Sequence, residues 1–277
     1  MDIEPHELSS DDRQLLDTAW DLFDEGDLQG ARTTLTSLSD QGQEQPDTLE
    51  LIGELALADD DPGAALNAYL RWNEIAPDDP EPWIASAEVY LEYFDDAHEA
   101  TRLMRGLLAG PELDSVDEAD ARHLLGLACE ARNDRRGMVR EWLAVLRLDA
   151  LNDSAEPILT RTNFEAVAAA ALEELPDEVV ERLRNVPILV EDRPPEALVL
   201  EGLDPRTLGV FHGIAMPDQL SLGPGPDAGL IHLFQRNLER ESFDDDDLAE
   251  QIRITVLHET AHYFGASEED LKRFGLN

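Results

Sequence analysis

The sequence predicts an α + α/β chain, an N-terminal α-helical repeat array followed by a small mixed α/β domain, and three observations predict it. Helical periodicity with small residues at recurring places runs from about residue 10 to 150. Short apolar runs bounded by Gly and Pro follow, between Val186 and Phe234. A capped amphipathic pattern then opens at Ser242. The 277 residues are enough for two domains, each burying its own core without disulfides or a structural metal. The chain divides into an acidic tail (1–9), the helical repeats (10–152) and the α/β domain (153–277).

In the array the pair Gly30-Ala31 returns as Gly63-Ala64, then loosely as Glu99-Ala100 and Gly137-Met138. Each pair follows an acidic turn (Glu25-Gly26-Asp27, Asp59-Asp60-Asp61, Asp95-Asp96, Asn133-Asp134) that separates two helices of one unit. First helices would carry Ala19-Trp20, Ile52-Gly53, Ala85 with Ala87, and Leu125-Gly126, small side chains that let neighbouring helices approach. Pro46, Pro77, Pro80, Pro82 and Pro111 fall between units, where proline costs no internal bond. These features resemble tetratricopeptide (TPR) repeats, about four of them. The resemblance implies a concave groove for a peptide or protein partner, or else a purely structural array. Trp72, Trp83, Tyr90, Tyr93, Phe94 and Trp142 recur at helical spacing and read as core.

From Phe164 to Leu183 two short helices are split at Pro176. Val186 to Glu191 reads as a strand, Pro194-Pro195 as a turn, Leu208 to Gly213 as a short strand or turn, and Ala228 to Phe234 as the best strand, with a loop at Gly223-Pro224-Gly225-Pro226 between the last two.

The 62 acidic against 21 basic residues leave a formal charge of -41. Such a surface repels phosphate backbones and anionic lipids, which excludes nucleic acid and membranes as expected partners. Lys272 is the sole lysine. Life in concentrated salt, where screening makes this charge density tolerable, and a compositional bias toward Asp and Arg both account for it. The single Cys129 lies in an apolar helical stretch and reads as a buried thiol, which fits a reducing compartment. No signal-like N-terminus or bilayer-length apolar run is visible, so a cytoplasmic location is expected.

The last helix begins at Ser242-Phe243-Asp244-Asp245, with Ser242 as N-cap and Asp244 to Asp247 at the positive end of the helix dipole. Leu248, Ile252, Val256, Leu257, Ala261 and Phe264 give it an apolar side, and Gly265 ends it. Within it lies His258-Glu259-Thr260-Ala261-His262, the H-E-x-x-H pattern. Four residues make slightly more than one turn, so both imidazoles project from one side and can bind one zinc at about 2.0–2.1 Å. Glu259 is turned toward the open side of the metal. As general base it accepts a proton from a metal-activated water attacking a carbonyl, then passes it to the leaving amine.

A third ligand must lie close by, because only fifteen residues follow His262. Glu268 completes His-Glu-x-x-His-x-x-Gly-x-x-Glu, parallel to the extended metzincin pattern with Glu for the third His and without a Met-turn. Glu269 and Asp270 are alternatives, and any of the three could instead cap a short last helix.

Residues 160 to 277 resemble the minimal zincin-like metallopeptidase family. The resemblance is carried by Thr255-Val256-Leu257-His258-Glu259 through Gly265, by Leu175-Pro176, Asn185-Val186-Pro187 to Glu191-Asp192, Pro194-Pro195, Leu208 to Gly213, and Leu230 to Phe234. It implies a minimal zincin fold, zinc-dependent peptide hydrolysis with one Zn2+ per chain, Glu259 as base, and His258, His262 and Glu268 as ligands. It also implies that the strand around Ile231 lies above the metal helix as an edge strand that pairs with an extended peptide or protein substrate. His212 and His232 are candidates to steady the oxyanion or the leaving group. Tyr263 should point away from the metal and pack. The other reading is a non-catalytic TPR-type scaffold whose zincin domain is degenerate or merely binds metal.

Overall fold

The computed structural model of the chain describes residues 8–153, 156–173, 175, 180, 181, 183, 186–213 and 229–266. The chain forms two compact units, Met1–Leu151 and Asn152–Asn277. No helix among the described residues is long and apolar enough to cross a membrane.

The first unit is a run of helical hairpins: α1 (Ser10–Asp24) with α2 (Leu28–Leu35), α3 (Pro46–Ala58) with α4 (Pro62–Ile75), α5 (Glu81–Glu92) with α6 (Ala97–Leu107), and α7 (Ser115–Ala131) with α8 (Arg135–Asn152). All four hairpin turns share one construction. One residue takes a left-handed conformation, Gly26 (φ 81°), Asp60 (60°), Asp95 (50°) or Asn133 (57°). Short polar side chains tolerate that region, and glycine is indifferent to it. The Asp that follows then caps the second helix. Asp27 accepts from the Gly30 amide, Asp61 from Ala64, Asp96 from His98 and Glu99, and Asp134 from Gly137. The acidic turns of the sequence are thus explained locally, as caps placed where the helix dipole favours negative charge.

Helix contact inside the hairpins rests on small residues set against large ones. A Cβ on Gly53 of α3 would lie 2.2 Å from the Tyr69 ring of α4, and one on Gly126 of α7 would lie 2.1 Å from the Trp142 indole of α8. Ala19 and Ala87 hold matching places in α1 and α5 and are fully buried. Trp72 and Trp142 belong to the core as expected, but Tyr93 and Phe94 are 41% and 46% exposed. They lie beyond the last residue of α5, where the chain leaves the helix and the apolar period no longer applies. Cys129 is buried, and burial pushes its thiol above the ordinary range, which keeps it unreactive.

The second unit contains α9 (Arg161–Glu173), β1 (Ile188–Glu191), α10 (Glu196–Glu201), β2 (Gly209–His212), β3 (Leu230–Phe234), α11 (Gln235–Arg240) and α12 (Asp245–Tyr263). The sheet order is β1-β3-β2, with β1 parallel and β2 antiparallel to β3. Ile231 pairs across to Ile188 on one side and Phe211 on the other. The strand around Ile231 is therefore central, which corrects the expectation of an edge strand. Its sequence carries the reason: Leu230-Ile231-His232-Leu233-Phe234 is nearly continuously apolar and buried on both faces, whereas an edge strand tends to alternate. Among the described strands, β2 is the edge beside α12.

One face of the sheet is the core. Val190, Ile231 and Leu233 pack with Phe164, Ala168 and Ala171 of α9 and with Leu248, Ile252, Val256 and Tyr263 of α12. The approach to β2 is fixed by Asn237 of α11, whose amide donates to the carbonyls of Pro205 (2.8 Å) and Thr207 (2.7 Å). Arg193 donates in turn to the Asn237 side-chain oxygen at 2.8 Å and pairs with Asp153. Buried polar groups that satisfy one another in this way hold the strand entry in a single register.

Candidate metal centre

Helix α12 begins two residues later than Ser242 suggests. Its N-cap is Asp244, whose carboxylate accepts from the amides of Asp246 (3.0 Å) and Asp247 (2.9 Å). The Ser242 hydroxyl instead donates to the Leu238 carbonyl at the end of α11. Ser and Asp are equally good caps, and the choice falls to Asp244 because Ser242 is still engaged by the preceding helix.

At the other end, Gly265 takes φ 84°. The Ala266 amide donates to the Ala261 carbonyl (3.0 Å) and the Gly265 amide to His262 (2.9 Å), a Schellman closure. That closure turns the chain back so that the Ala266 carbonyl reaches His262 Nδ1 at 3.2 Å. A carbonyl only accepts, so the hydrogen sits on Nδ1 and the lone pair is left on Nε2.

His262 Nε2 lies 3.0 Å from His258 Nε2, with the rings tilted at 69°. Two nitrogens on one tetrahedral zinc at about 2.0–2.1 Å stand roughly 3.3 Å apart, so this pair fits the ion after a shift of a few tenths of an ångström. The fit tests two ligands of the set. Glu268, Glu269 and Asp270 lie outside the described residues, and among the described residues no group of three or more His, Cys, Asp or Glu side chains is arranged to hold a metal.

Glu259, between the two histidines in sequence, is 6% exposed. Its Oε2 accepts from the backbone N–H of Phe211 on β2 at 2.6 Å, a charge-assisted bond of the stronger class. Strand and helix come this close because residue 209 is glycine. A Cβ there would stand 2.7 Å from Thr255 Cγ2 and 3.2 Å from Glu259 Cγ. Phe211 completes the contact by laying its ring edge-to-face on Tyr263, with centroids 5.5 Å apart. Tyr263 therefore packs, as its sequence position suggests.

His212 and His232 are not brought to this side. Side chains alternate along a strand. Gly209, Phe211, Ile231 and Leu233 face α12 and the core, so His212 and His232 project from the opposite face. There His232 Nδ1 meets Glu191 Oε2 at 2.9 Å, and its ring stacks on Phe234. The structure thus pairs His232 with Glu191 and not with the H-E-x-x-H helix. Two groups of the site escaped sequence reasoning, the Phe211 amide and the Ala266 carbonyl. Both are backbone atoms, which residue types do not announce. Gly209 was the available signal, a glycine inside a strand marking a close approach.

With this geometry in place, residues 183–276 match the sequence model of a protein family described as zincin-like metallopeptidase. The match spans β1 through the H-E-x-x-H helix and beyond. No curated protein matches the chain.

Proposed function

We propose that the second unit is a zinc-dependent peptide hydrolase, binding one Zn2+ per chain through His258, His262 and Glu268, with Glu259 as the general base. The observation that carries this reading is the convergence of the two imidazole Nε2 atoms on a helix that also carries the buried Glu259 carboxylate, bonded to the backbone of β2. Zinc, when bound, supplies Lewis acidity toward a carbonyl and lowers the pKa of water. The chain's own residues do the remainder. The Ala266 carbonyl keeps His262 in the tautomer that presents Nε2. Glu259 takes a proton from the attacking water and delivers it to the leaving amine. Burial excludes the bulk water that would weaken both steps.

The outward edge of β2 suits an extended peptide substrate that adds as a further strand. For the first unit, a TPR-like array that recruits a substrate or protein partner agrees with its repeated hairpins. Its chemistry favours a cationic segment. Partial burial first, and then mutual repulsion with neighbours that include Asp47, Glu54, Asp79, Glu92, Asp114 and Asp120, raises the carboxyls of Glu50 of α3, Glu81 and Glu88 of α5, and Asp117 of α7. A basic peptide would relieve that repulsion. Such an acidic chain has no use for nucleic acid or anionic membranes, and its one buried cysteine suits the cytoplasm.

The experiment is metal analysis by mass spectrometry of the full chain beside His258→Ala, His262→Ala and Glu268→Ala, with a peptide-library cleavage assay that includes Glu259→Gln. One zinc per chain, lost with each ligand change, and cleavage lost with Glu259→Gln are expected. Zinc retained with no cleavage of any peptide would overturn the hydrolase in favour of a metal-binding scaffold. No zinc would overturn both.

A further inference from the structure

We infer that the backbone amide of Phe211 is a positioning group for Glu259, so that the edge strand, and not the metal helix alone, sets where the base points. Its bearing on catalysis rests on the hydrolase reading above, whereas the contact itself does not.

The strand pairing decides which way this amide faces. In an antiparallel pair, successive residues turn their N–H and C=O groups alternately toward the partner and away from it. The Phe234 amide donates to the Leu208 carbonyl at 2.9 Å, which places Leu208 in the inward set. By alternation Val210 and His212 share that set, and Gly209 and Phe211 turn outward. An outward amide on an edge strand ordinarily meets water or an added strand. The Phe211 amide meets Glu259 Oε2 at 2.6 Å instead.

Three features make this contact a built one. Gly209 removes the side chain that would hold β2 away from Thr255 and Glu259. The Phe211 ring is seated on Tyr263, one turn beyond Glu259 on the same helix, so the strand is anchored on both sides of the amide. The Glu259 carboxylate is buried, so this N–H makes up for part of the hydration lost on burial. A glutamate has three side-chain torsions, and a second fixed point on its carboxylate removes most of that freedom before a substrate arrives.

Residue-resolved amide hydrogen exchange and 1H–15N spectra of the full chain test this without any turnover, comparing wild type with Glu259→Ala and Glu259→Gln. The Phe211 amide should be shifted downfield in the wild type and exchange at least ten-fold more slowly than its intrinsic rate. Glu259→Ala should abolish both properties at Phe211 while leaving the inward Val210 amide protected. Glu259→Gln, which keeps an acceptor oxygen, should retain most of the protection. A Phe211 amide that exchanges at its intrinsic rate in the wild type, or that is unmoved by Glu259→Ala, overturns the inference. Loss of protection at Val210 as well would mean that the strand itself has come away, and it overturns the inference equally. Peptide cleavage does not enter, so the inference and the proposed function fail separately.

Discussion

The ring of Tyr69 occupies the space that a β-carbon on Gly53 would need, with Cε1 2.2 Å from that position. Gly126 and Trp142 repeat the relationship in another hairpin, sixteen residues apart in both cases. A ring packed on both faces cannot swing aside as a flexible chain end would, so a methyl group at either glycine must separate two helices. Gly53→Ala is expected to destabilise the chain by about 1–3 kcal/mol through overpacking. Thermal melting should show it as a loss of several degrees, recovered in part by Tyr69→Leu in the same chain. An unchanged melting temperature in Gly53→Ala would mean that the helices separate at no cost.

The turns of the first unit were legible because each is encoded locally, by a residue fit for positive φ followed by a capping Asp. The final helix was legible for the same reason, since a 3.6-residue period and a four-residue histidine spacing survive any tertiary environment. What the sequence hid is tertiary. Ser242 and Asp244 are both competent caps, and only the engagement of Ser242 by the Leu238 carbonyl separates them. His212 and His232 read in the sequence as candidates to steady the oxyanion or the leaving group, but strand alternation carries His232 to the other face, where Glu191 receives it. The central place of β3 follows from which strands pair with it, a fact that its own residues express only as uninterrupted burial.

Metal should stabilise the second unit. A ligand that binds only the folded state contributes RT ln(1 + [L]/Kd), about 2.7 kcal/mol at a hundredfold excess over Kd. For a unit of this size that is on the order of 10 °C in Tm. Differential scanning calorimetry with and without zinc should show the gain in wild type and none in His258→Ala or His262→Ala. Equal gains in all three proteins would place the zinc elsewhere.

Gly209 and Thr255 make a paired test of the strand contact. Gly209→Ala puts a methyl group 2.7 Å from Thr255 Cγ2, forcing β2 outward and lengthening the Phe211 to Glu259 bond. Cleavage should fall about ten-fold or more, since small displacements of a catalytic group are costly, while zinc content holds. Adding Thr255→Ser removes the opposing methyl group and should restore part of the rate. No recovery in the double variant would show that Gly209 is needed for some other reason.

The acidic face of the first unit predicts a pH effect with a definite sign. Partial withdrawal from water, and then the charges of Asp120, Glu92, Glu81 and Glu54, push the Glu88 carboxyl up to about 7. The folded chain therefore binds this proton more tightly than the unfolded chain does, whose carboxyl titrates near 4.5. Below 4.5 the group is protonated in both states and costs nothing. Between 4.5 and about 7 the unfolded carboxyl ionises while the folded one still holds its proton, so the folded state loses stability relative to the unfolded one, and the loss is complete once the folded carboxyl ionises above 7. Glu88→Gln removes that loss, so the variant should melt above wild type at pH 8 and together with it at pH 4. The withdrawal of Glu88 from water is only partial, so solvent and salt still screen it, which limits the gain to under about 1 kcal/mol, or roughly 3 °C. The gain should shrink further in molar salt, where the Debye length is about 3 Å. A gain at pH 4 equal to that at pH 8 would show that the benefit of glutamine is not electrostatic.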